Sequence, residues 1–503
     1  MANDFRIESD SLGERELPAE AYYGIQTQRA RENFPISGLT LPEAMIRAIA
    51  AVKIAAARVN CQLGELDEQR AEAIIRAASE VRDGLFNDSF VVDAFQAGAG
   101  TSFHMNANEV IANRANELLG AKKGDYSRVH PNDHVNMGQS TNDVFPTAMR
   151  LAALDLLPDL LAAFDELAAA LDEKAKAFEN VIKSGRTHLQ DAVPITLGQE
   201  FGGYAQAVFQ ARRRIARTEE ALLELGIGGS AAGTGLNTLP EYRERVVQQL
   251  AQLTGLPLLS SGNLFEAMQS LAPFADTSAA LRNAALELSR IANDFRLLAS
   301  GPRTGFDELK LPAVQPGSSI MPGKINPSMA EMLNQVCFQV LGKDATIAFA
   351  TQAGQLELNV MMPVVAFNLL GGMLLLTNAL VAFTLRCVRG VEANVEAAHT
   401  HAMRSLGLAT ALNPLIGYRA AAEVVKQAVR EGRAIPDVVV ERRLMNPEEA
   451  RRAFSPETLT RPGRLEAKPG EFAASEPTGY EWVRDPELLK ECDTQPGEWD
   501  LPP

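Results

Sequence analysis

Hydrophobic and polar positions in the middle of the chain recur with the period of an α-helix. Leu157, Leu160, Phe164, Leu167 and Leu171 follow one another at intervals of three or four residues, with acidic residues between them. This spacing predicts an amphipathic helix that buries one face. Comparable segments cover about 198–225, 265–298, 327–350 and 362–389. Long helices with almost no alternating β pattern predict an all-α fold built on a long helix bundle.

The pattern changes on both sides of this bundle. Shorter helices and loops precede about residue 140, and short helices return after about 396, over roughly 402–410, 418–431 and 435–441. The 503 residues correspond to about three domains at roughly 150 residues each. We therefore predict a mainly helical N-terminal domain over 1–140, a central long-helix domain over 141–395 and a small C-terminal helical domain over 396–464.

The last segment, 465–503, differs in composition from the rest of the chain. It holds ten acidic residues against three basic ones, together with both tryptophans, Trp482 and Trp499. A solvated acidic tail is the simplest interpretation. A tail that lies across the protein through its aromatic residues is an equally reasonable one.

Charge and cysteine content narrow the classes of function. The chain has 48 Lys and Arg against 63 Asp and Glu, a net charge of −15, which argues against a nucleic-acid partner. Four widely separated cysteines (Cys61, Cys337, Cys387 and Cys492) predict reduced thiols and give no signal of a metal site.

One segment is apolar enough to raise the question of a membrane span. Residues 360–383 are interrupted by Pro363, Asn368 and the pair Gly371-Gly372, so a buried core helix is the better interpretation. The polar, acidic first ten residues show no leader pattern. We expect a soluble cytoplasmic protein without a membrane partner.

Four loop-like stretches are rich in small hydroxyl and amide residues: 98–102, 138–143, 185–191 and 315–327. Ser, Thr and Asn are also the usual helix caps and turn formers, so each of the first three has a purely structural explanation. The fourth combines glycines, prolines, the pair Ser318-Ser319, Lys324 and a helix start. A cation beside helix amides suits a carboxylate, and the absence of a Walker pattern argues against a nucleotide phosphate.

Residues 317–327, Gly-Ser-Ser-Ile-Met-Pro-Gly-Lys-Ile-Asn-Pro, resemble the signature loop of the aspartase/fumarase superfamily. The other three stretches resemble the remaining active-site segments of that family in the same order, and the similarity extends from about Arg6 to about Phe454. The resemblance implies a three-domain, all-α fold that assembles as a homotetramer, with segments of three subunits in each site. It also implies anti elimination from a succinate skeleton, with no metal or organic cofactor.

Within the family, several segments resemble the aspartate ammonia-lyase branch. They are Ser140-Thr141-Asn142, the run Gly-Gln-Leu-Glu-Leu-Asn at 354–359 and the opening at 17–24. This implies release of ammonia from L-aspartate to give fumarate. His104 and Met362 depart from the pattern: the family usually has asparagine at the first position, and Glu or Lys at the second. A class II fumarase, or an ammonia- or amine-lyase for another amino acid, therefore stays open.

The resemblance also implies roles for individual residues. It makes Ser318 the general base, with Lys324 and amides near Gly323 expected to stabilise its oxyanion. Hydroxyl donors to the carboxylate that becomes the aci-carboxylate would be Thr101, Ser140, Thr141 and Ser319. The second carboxylate would be held by Thr187, His188, Lys324 and Asn326. The amino group would contact Thr101, Asn142, Thr187 and His188, and Met321 would also touch the substrate. For His104 we expect a hydrogen-bonded position beneath the site, and for Met362 a place in the core.

Overall fold

The structure is a computed structural model, and it describes residues 5–463. Its α-helices are α1 (Ile25–Asn33), α2 (Glu43–Gln62), α3 (Glu68–Arg82), α4 (Thr101–Leu118), α5 (Thr141–Ala177), α6 (Leu197–Ala216), α7 (Glu219–Leu222), α8 (Tyr242–Thr254), α9 (Leu264–Gln269), α10 (Ala272–Leu298), α11 (Ser328–Gln352), α12 (Met362–Arg386), α13 (Val395–Arg404), α14 (Asn413–Glu431), α15 (Ile435–Glu441), α16 (Pro447–Ala453) and α17 (Pro456–Leu459). The expectations for the tail over 465–503 lie outside the described residues.

The β-structure is confined to small two-stranded sheets. The strands are β1 (Phe5–Asp10), β2 (Gly13–Pro18), β3 (Ile182–Thr187), β4 (Gln190–Thr196), β5 (Glu224–Leu225), β6 (Leu259–Ser260), β7 (Leu309–Lys310) and β8 (Glu392–Ala393). They pair in the order β1–β2, β3–β4, β5–β6 and β7–β8, and only the β5–β6 pair is parallel. The predicted all-α fold is confirmed.

Three predicted helix boundaries are wrong, and a hydroxyl side chain marks each break. The helix expected over 198–225 ends at Ala216, and the Thr218 hydroxyl donates to the Ile215 carbonyl at 2.8 Å. The helix expected over 265–298 is divided at Ser270, whose backbone is extended. The helix expected over 402–410 already ends at Arg404, and Ser405 starts a 3₁₀ turn. Such hydroxyls offer the backbone an alternative to the helical ladder.

The described chain forms two compact units. Unit 1 contains 5–165, Gln210–Ala292 and Glu331–Ala382, and unit 2 contains Glu166–Phe209, Asn293–Ala330 and 383–463. The boundaries between them fall inside α5, α6, α10, α11 and α12. The predicted domain boundaries at 140, 395 and 464 stay predictions.

Unit 1 is organised around α2, which packs against α3, α4 and α8. Helix α2 is rich in alanine, so neighbouring backbones can approach closely, and its Ile49 and Val52 are fully buried. One residue departs from this apolar composition: Lys53 is also fully buried. Unit 1 therefore encloses a polar group that needs partners.

Unit 2 has an aromatic core and a separate C-terminal cluster. Phe201 contacts Phe178, Tyr204 and Phe295, and Phe295 also contacts Phe383, with ring centroids 5.2–5.6 Å apart. The second cluster is formed by apolar side chains of residues 408–454, including Leu412, Val424 and Val438. The hairpin β3–β4 of the same unit contacts α13 and α17.

The apolar segment near residue 370 forms α12. By length and composition, Met362–Gly390 satisfies the criteria for a membrane span, and 56% of its most apolar window is buried. A core helix of a soluble protein satisfies the same criteria, so this is weak support for a membrane span. Met362 itself is buried, as expected for a core position.

Candidate active site

Four of the predicted site residues in unit 1 lie at helix N-termini. Thr101 is the first residue of α4, and Thr141 is the first residue of α5, with Ser140 and Asn142 on either side of it. Unpaired backbone N–H groups and the helix dipole make such positions favourable for an anionic group. The predicted donors are therefore held where a carboxylate would be stabilised.

The chain enters α4 through two left-handed residues. Ala99 has φ 60° and Gly100 has φ +84°, and the Ala99 amide donates to the Val360 carbonyl at 2.7 Å. A Cβ on Gly100 would lie 2.2 Å from the ring of Phe145, so no larger residue fits there. This close approach fixes the direction in which Thr101 begins its helix.

The start of α5 is held by Asp143. Its carboxylate accepts backbone N–H bonds from Ser140, Gly228 and Ser230 at 2.9–3.0 Å. Burial raises the pKa of Asp143 to about 6, although these three hydrogen bonds favour its charged form. Asn142 Nδ2 donates to the Ala231 carbonyl at 2.8 Å, so the same loop also orients this predicted ligand.

His104 connects the starts of α4 and α5. Its Nδ1 lies 2.8 Å from Thr141 Oγ1, and its Nε2 lies 2.6 Å from Lys53 Nζ. His104 is buried, as expected for a histidine beneath the site. Burial lowers the pKa of His104 well below the ordinary value, and the neighbouring Lys53 charge lowers it further. The ring is therefore neutral near pH 7.

In unit 2, Thr187 and His188 lie at the tip of the hairpin β3–β4. Thr187 pairs with Gln190, which leaves His188 and Leu189 as a two-residue turn. Both have positive φ, 56° and 57°, as a type I′ turn requires. Such turns usually contain Asn or Gly, so the two side chains here are held in an unfavourable conformation.

A buried ion network anchors this hairpin. The Glu308 carboxylate receives two hydrogen bonds from Arg186, at 2.7 and 3.1 Å, and lies 3.0 Å from His401 Nδ1 and 3.6 Å from Lys183 Nζ. Burial works against the charge of Glu308, but the Arg186 hydrogen bonds and the Lys183 charge outweigh it, so its pKa lies below the ordinary value. The Arg186 guanidinium also stacks on Phe306 at 4.2 Å. Strand β3 is thereby fixed directly before the strained turn.

The predicted base lies in the long loop of unit 2. Ser318 Oγ accepts hydrogen bonds from the backbone amides of Ile320 at 3.2 Å and Met321 at 3.0 Å. Two N–H donors favour a negative charge on this oxygen. The expected contribution of amides near Gly323 stays a prediction.

The same loop is closed on itself and surrounds a cavity. The Gly317 amide donates to the Lys324 carbonyl at 2.9 Å, and Asn326 Nδ2 donates to the Gly317 carbonyl at 2.6 Å. The cavity has a volume of about 510 Å³ and is lined by residues of 313–325, including Ser318 and Lys324. Ser319, Met321 and Lys324 are exposed. The loop thus presents hydroxyl and cationic groups to solvent.

The predicted residues fall into two groups. Unit 1 holds Thr101, Ser140, Thr141 and Asn142, and unit 2 holds Thr187, His188, Ser318, Ser319, Met321, Lys324 and Asn326. Lys53 was missed, although a single lysine within the apolar run 48–57 was a signal for it. Across residues 5–463, no group of three or more His, Cys, Asp or Glu is placed to hold a metal ion.

Comparison with known proteins decides the family. The family model described as "Lyase" matches residues 13–342, and the model described as "Fumarase C C-terminus" matches 408–461. The chain belongs to the aspartase/fumarase superfamily. It is therefore a lyase, as the resemblance of its loops implied.

Individual relatives of this superfamily carry two different names. Aspartate ammonia-lyase of Bacillus subtilis is 49% identical over 460 residues, which cover 92% of this chain and 97% of the relative. Fumarate hydratase class II of Halobacterium salinarum is 52% identical over 466 residues, covering 92% of this chain and 99% of that protein. The superfamily is thus settled by similarity, and the substrate is not.

Solved structures agree with this assignment. A fumarate lyase:delta crystallin from Brucella melitensis, bound to cobalt, superposes with a TM-score of 0.87 at 49% identity, covering 90% of this chain and 98% of that one. Class II fumarase from Schistosoma mansoni gives a TM-score of 0.85 at 38% identity, covering 90% and 99%. The superfamily fold therefore extends over nearly the whole described chain.

Proposed function

We propose that this protein is an aspartate ammonia-lyase, which eliminates ammonia from L-aspartate to give fumarate. The hydrogen-bonding of Ser318 carries the proposal, because a serine can act as a base only when its oxyanion is stabilised. The amides of Ile320 and Met321 supply two such donors.

In the proposed reaction, Ser318 removes a proton from the carbon next to the β-carboxylate of aspartate. The electron pair moves into that carboxylate and forms an aci-carboxylate dianion, which then collapses to expel ammonia. Preorganised donors must stabilise the dianion. We assign this task to Thr101, Ser140, Thr141 and Ser319, three of which lie at or beside helix N-termini.

We assign the remaining contacts by the same chemistry. The α-carboxylate would be held by Thr187, His188, Lys324 and Asn326, with Met321 beside it. The amino group would be contacted by Thr101, Asn142, Thr187 and His188. The strained turn at His188 supports this assignment, because unfavourable backbone conformations concentrate at functional sites. No step in this scheme requires a metal or an organic cofactor.

We propose a homotetramer in which each site combines segments of three subunits. Exposed apolar side chains of unit 1 support an assembly through the long helices. They are Leu286 on α10, Phe338 and Phe349 on α11, and Leu375 and Val381 on α12. Burying such side chains would stabilise an oligomer. We also propose a cytoplasmic location, because Cys61, Cys337 and Cys387 are free thiols.

A class II fumarase is the second candidate, since the Halobacterium fumarate hydratase is 52% identical. A substrate panel separates the two. Purified protein is incubated with L-aspartate, L-malate and N-substituted aspartates, and fumarate is followed by ultraviolet absorbance. We expect fumarate from L-aspartate. Fumarate from malate alone would identify a fumarase, and fumarate from substituted aspartates alone would identify an amine-lyase. Ser318→Ala, which lacks the proposed base, is the negative control and should form almost no fumarate.

A further inference from the structure

The starting observation is the buried amine of Lys53. Its Nζ lies 2.8 Å from Gln139 Oε1, 3.1 Å from Asn136 Oδ1 and 2.6 Å from His104 Nε2. All four residues belong to unit 1. Three polar partners around one nitrogen match the three N–H bonds of an ammonium group.

The two amide side chains have fixed orientations. Asn136 Nδ2 donates to the Gln139 carbonyl at 3.2 Å, and Gln139 Nε2 donates to the carbonyls of Val135 and Met137 at 3.1 and 3.2 Å. These contacts orient both amides with their oxygens toward Lys53. An amide oxygen can only accept, so two Lys53 N–H bonds are committed to these oxygens.

The third N–H of Lys53 faces the ring of His104, and the other nitrogen of that ring faces Thr141. A neutral imidazole has one N–H, which donates, and one bare nitrogen, which accepts. The nitrogen that carries the proton therefore sets the direction of both hydrogen bonds of the ring. An ammonium on Lys53 donates to Nε2, which places the ring proton on Nδ1 and makes Thr141 accept from the ring. The Thr141 hydroxyl proton is then free to donate to a ligand.

We propose that Lys53 and His104 form a relay that sets the direction of the Thr141 hydroxyl, and that Thr141 donates to substrate only while Lys53 carries its third proton. Both are positioning residues that act through Thr141. The inference rests on the proposed function in one respect, since it takes Thr141 to contact the substrate carboxylate.

Loss of one proton inverts the relay. Lys53 passes its third proton to His104 Nε2, the Nδ1 proton moves to Thr141 Oγ1, and the original hydroxyl proton of Thr141 leaves toward the site. Lys53 is then a neutral amine that accepts from Nε2–H, and Nδ1 accepts from Thr141. In this state Thr141 offers only lone pairs to the carboxylate and repels the aci-carboxylate that it would otherwise stabilise.

Burial and a neighbouring carboxylate shift the pKa of Lys53 in opposite directions. Burial lowers the pKa of Lys53 well below the ordinary value, and the Asp143 carboxylate opposes this shift. Asp143 is charged above about pH 6. Two titratable groups lie around Lys53: His104 on α4 and Asp143 on α5. The Asp143 charge also contributes to the raised pKa of the buried Tyr242 on α8. Activity should fall as pH rises through the lowered pKa of Lys53.

His104→Asn tests the relay, because an amide cannot pass a proton from one end to the other. With its oxygen toward Lys53, the Asn side chain places Nδ2 where His104 Nδ1 was, and Nδ2 donates to Thr141 without any proton transfer from Lys53. We expect the alkaline pKa in the kcat/KM profile to move up by about one pH unit or more. An unmoved alkaline pKa would overturn the relay.

Two controls separate a specific effect from a structural one. His134→Asn makes the same substitution at a half-buried histidine outside the relay, and it should leave the alkaline pKa in place. In a Thr141→Val background, His104→Asn should no longer move that pKa, because the end of the relay is missing. A shift in either control would argue against the relay.

The tautomer of His104 can be measured without turnover. Magic-angle-spinning ¹⁵N spectra of histidine-labelled protein, assigned with His104→Asn, report which ring nitrogen carries the proton. We expect Nδ1–H at neutral pH and Nε2–H at alkaline pH, and Nε2–H at neutral pH would overturn the proposal. The kinetic profiles are measured with whichever substrate of the panel is turned over. A protein that uses malate instead of aspartate would therefore refute the proposed function and still decide the relay.

Discussion

The two units hold their candidate groups in opposite ways. In unit 1, Thr101 and Thr141 lie on the first turns of long helices, and Thr141 is backed by the buried pair His104 and Lys53. In unit 2, His188 lies on an exposed hairpin turn, and Ser318 lies on a loop that is largely exposed.

The difference indicates a division of tasks. Donors that stabilise a developing charge are most effective when their positions are fixed before reaction, and helices supply that rigidity. Groups that must approach and release a substrate are usually on loops. We therefore expect unit 1 to supply most of the charge stabilisation, with Ser319 of unit 2 as the exception, and unit 2 to supply the base and the groups that close over the substrate.

The largest effect is expected from Ser318→Ala. Removing the base should lower kcat by about 10³- to 10⁴-fold, with the native mass of the assembly unchanged. Thr141→Val, which removes one donor from unit 1, should lower kcat by about 10²-fold. Steady-state kinetics and native mass measurements check both variants. A larger loss in Thr141→Val than in Ser318→Ala would reverse the assigned tasks.

A second effect concerns the stability of unit 2. Glu308→Ala leaves the Arg186 guanidinium without its carboxylate, whereas Lys183 keeps Glu200 at 3.0 Å, and the free energy of unfolding should fall by about 3 kcal/mol. Denaturant unfolding at neutral pH measures this loss. Glu423→Ala removes an exposed partner of Lys426 and should change the unfolding midpoint little.

The pH dependence of the Glu308 variant has a defined sign. The folded pKa of Glu308 lies below its ordinary value of 4.5, so its contribution is present above that pH and is lost as pH falls through the folded pKa. The difference between wild type and Glu308→Ala should therefore shrink below about pH 4.5. A difference that grows in acid would show that the Arg186 ion pair does not stabilise the fold.

The smallest effect is expected at the hairpin turn. Leu189 has φ 57° and is 68% exposed, so Leu189→Gly relieves an unfavourable conformation without losing much buried surface. The free energy of unfolding should rise by up to about 1 kcal/mol. Gly323→Ala, at φ +81° with open space around it, should lower it by about 1 kcal/mol. Thermal unfolding compares the two, and a stability loss in Leu189→Gly would mean that the turn is not strained.

Much of the fold was predictable because its signals are local. The spacing of Leu157, Leu160 and Phe164 predicted α5, and the motif around Ser318 predicted the family. Helix ends were less predictable, since Thr218 and Ser270 interrupt helices through hydrogen bonds with their near neighbours. A Ser or Thr residue can lie inside a helix or at its end, and tertiary packing decides which of the two occurs.

The positive φ of His188 and Leu189 could not be read from the sequence. Neither residue is Gly or Asn, and a local pattern therefore predicts no type I′ turn there. The conformation is imposed by strand pairing and by the Glu308 network, which joins residues more than a hundred positions apart. Such contacts leave no periodic trace in the sequence.

By itself, the sequence determined the helical class, the superfamily and the identity of the candidate base, because periodicity and a long specific motif are properties of contiguous residues. Only the tertiary structure brought Lys53, His104 and Thr141 together. Lys53 and His104 are 51 positions apart, and His104 is a further 37 from Thr141. A lone lysine in an apolar helix can reach solvent or be buried, and only packing shows which. Packing buries Lys53 and places its Nζ 2.6 Å from the His104 ring.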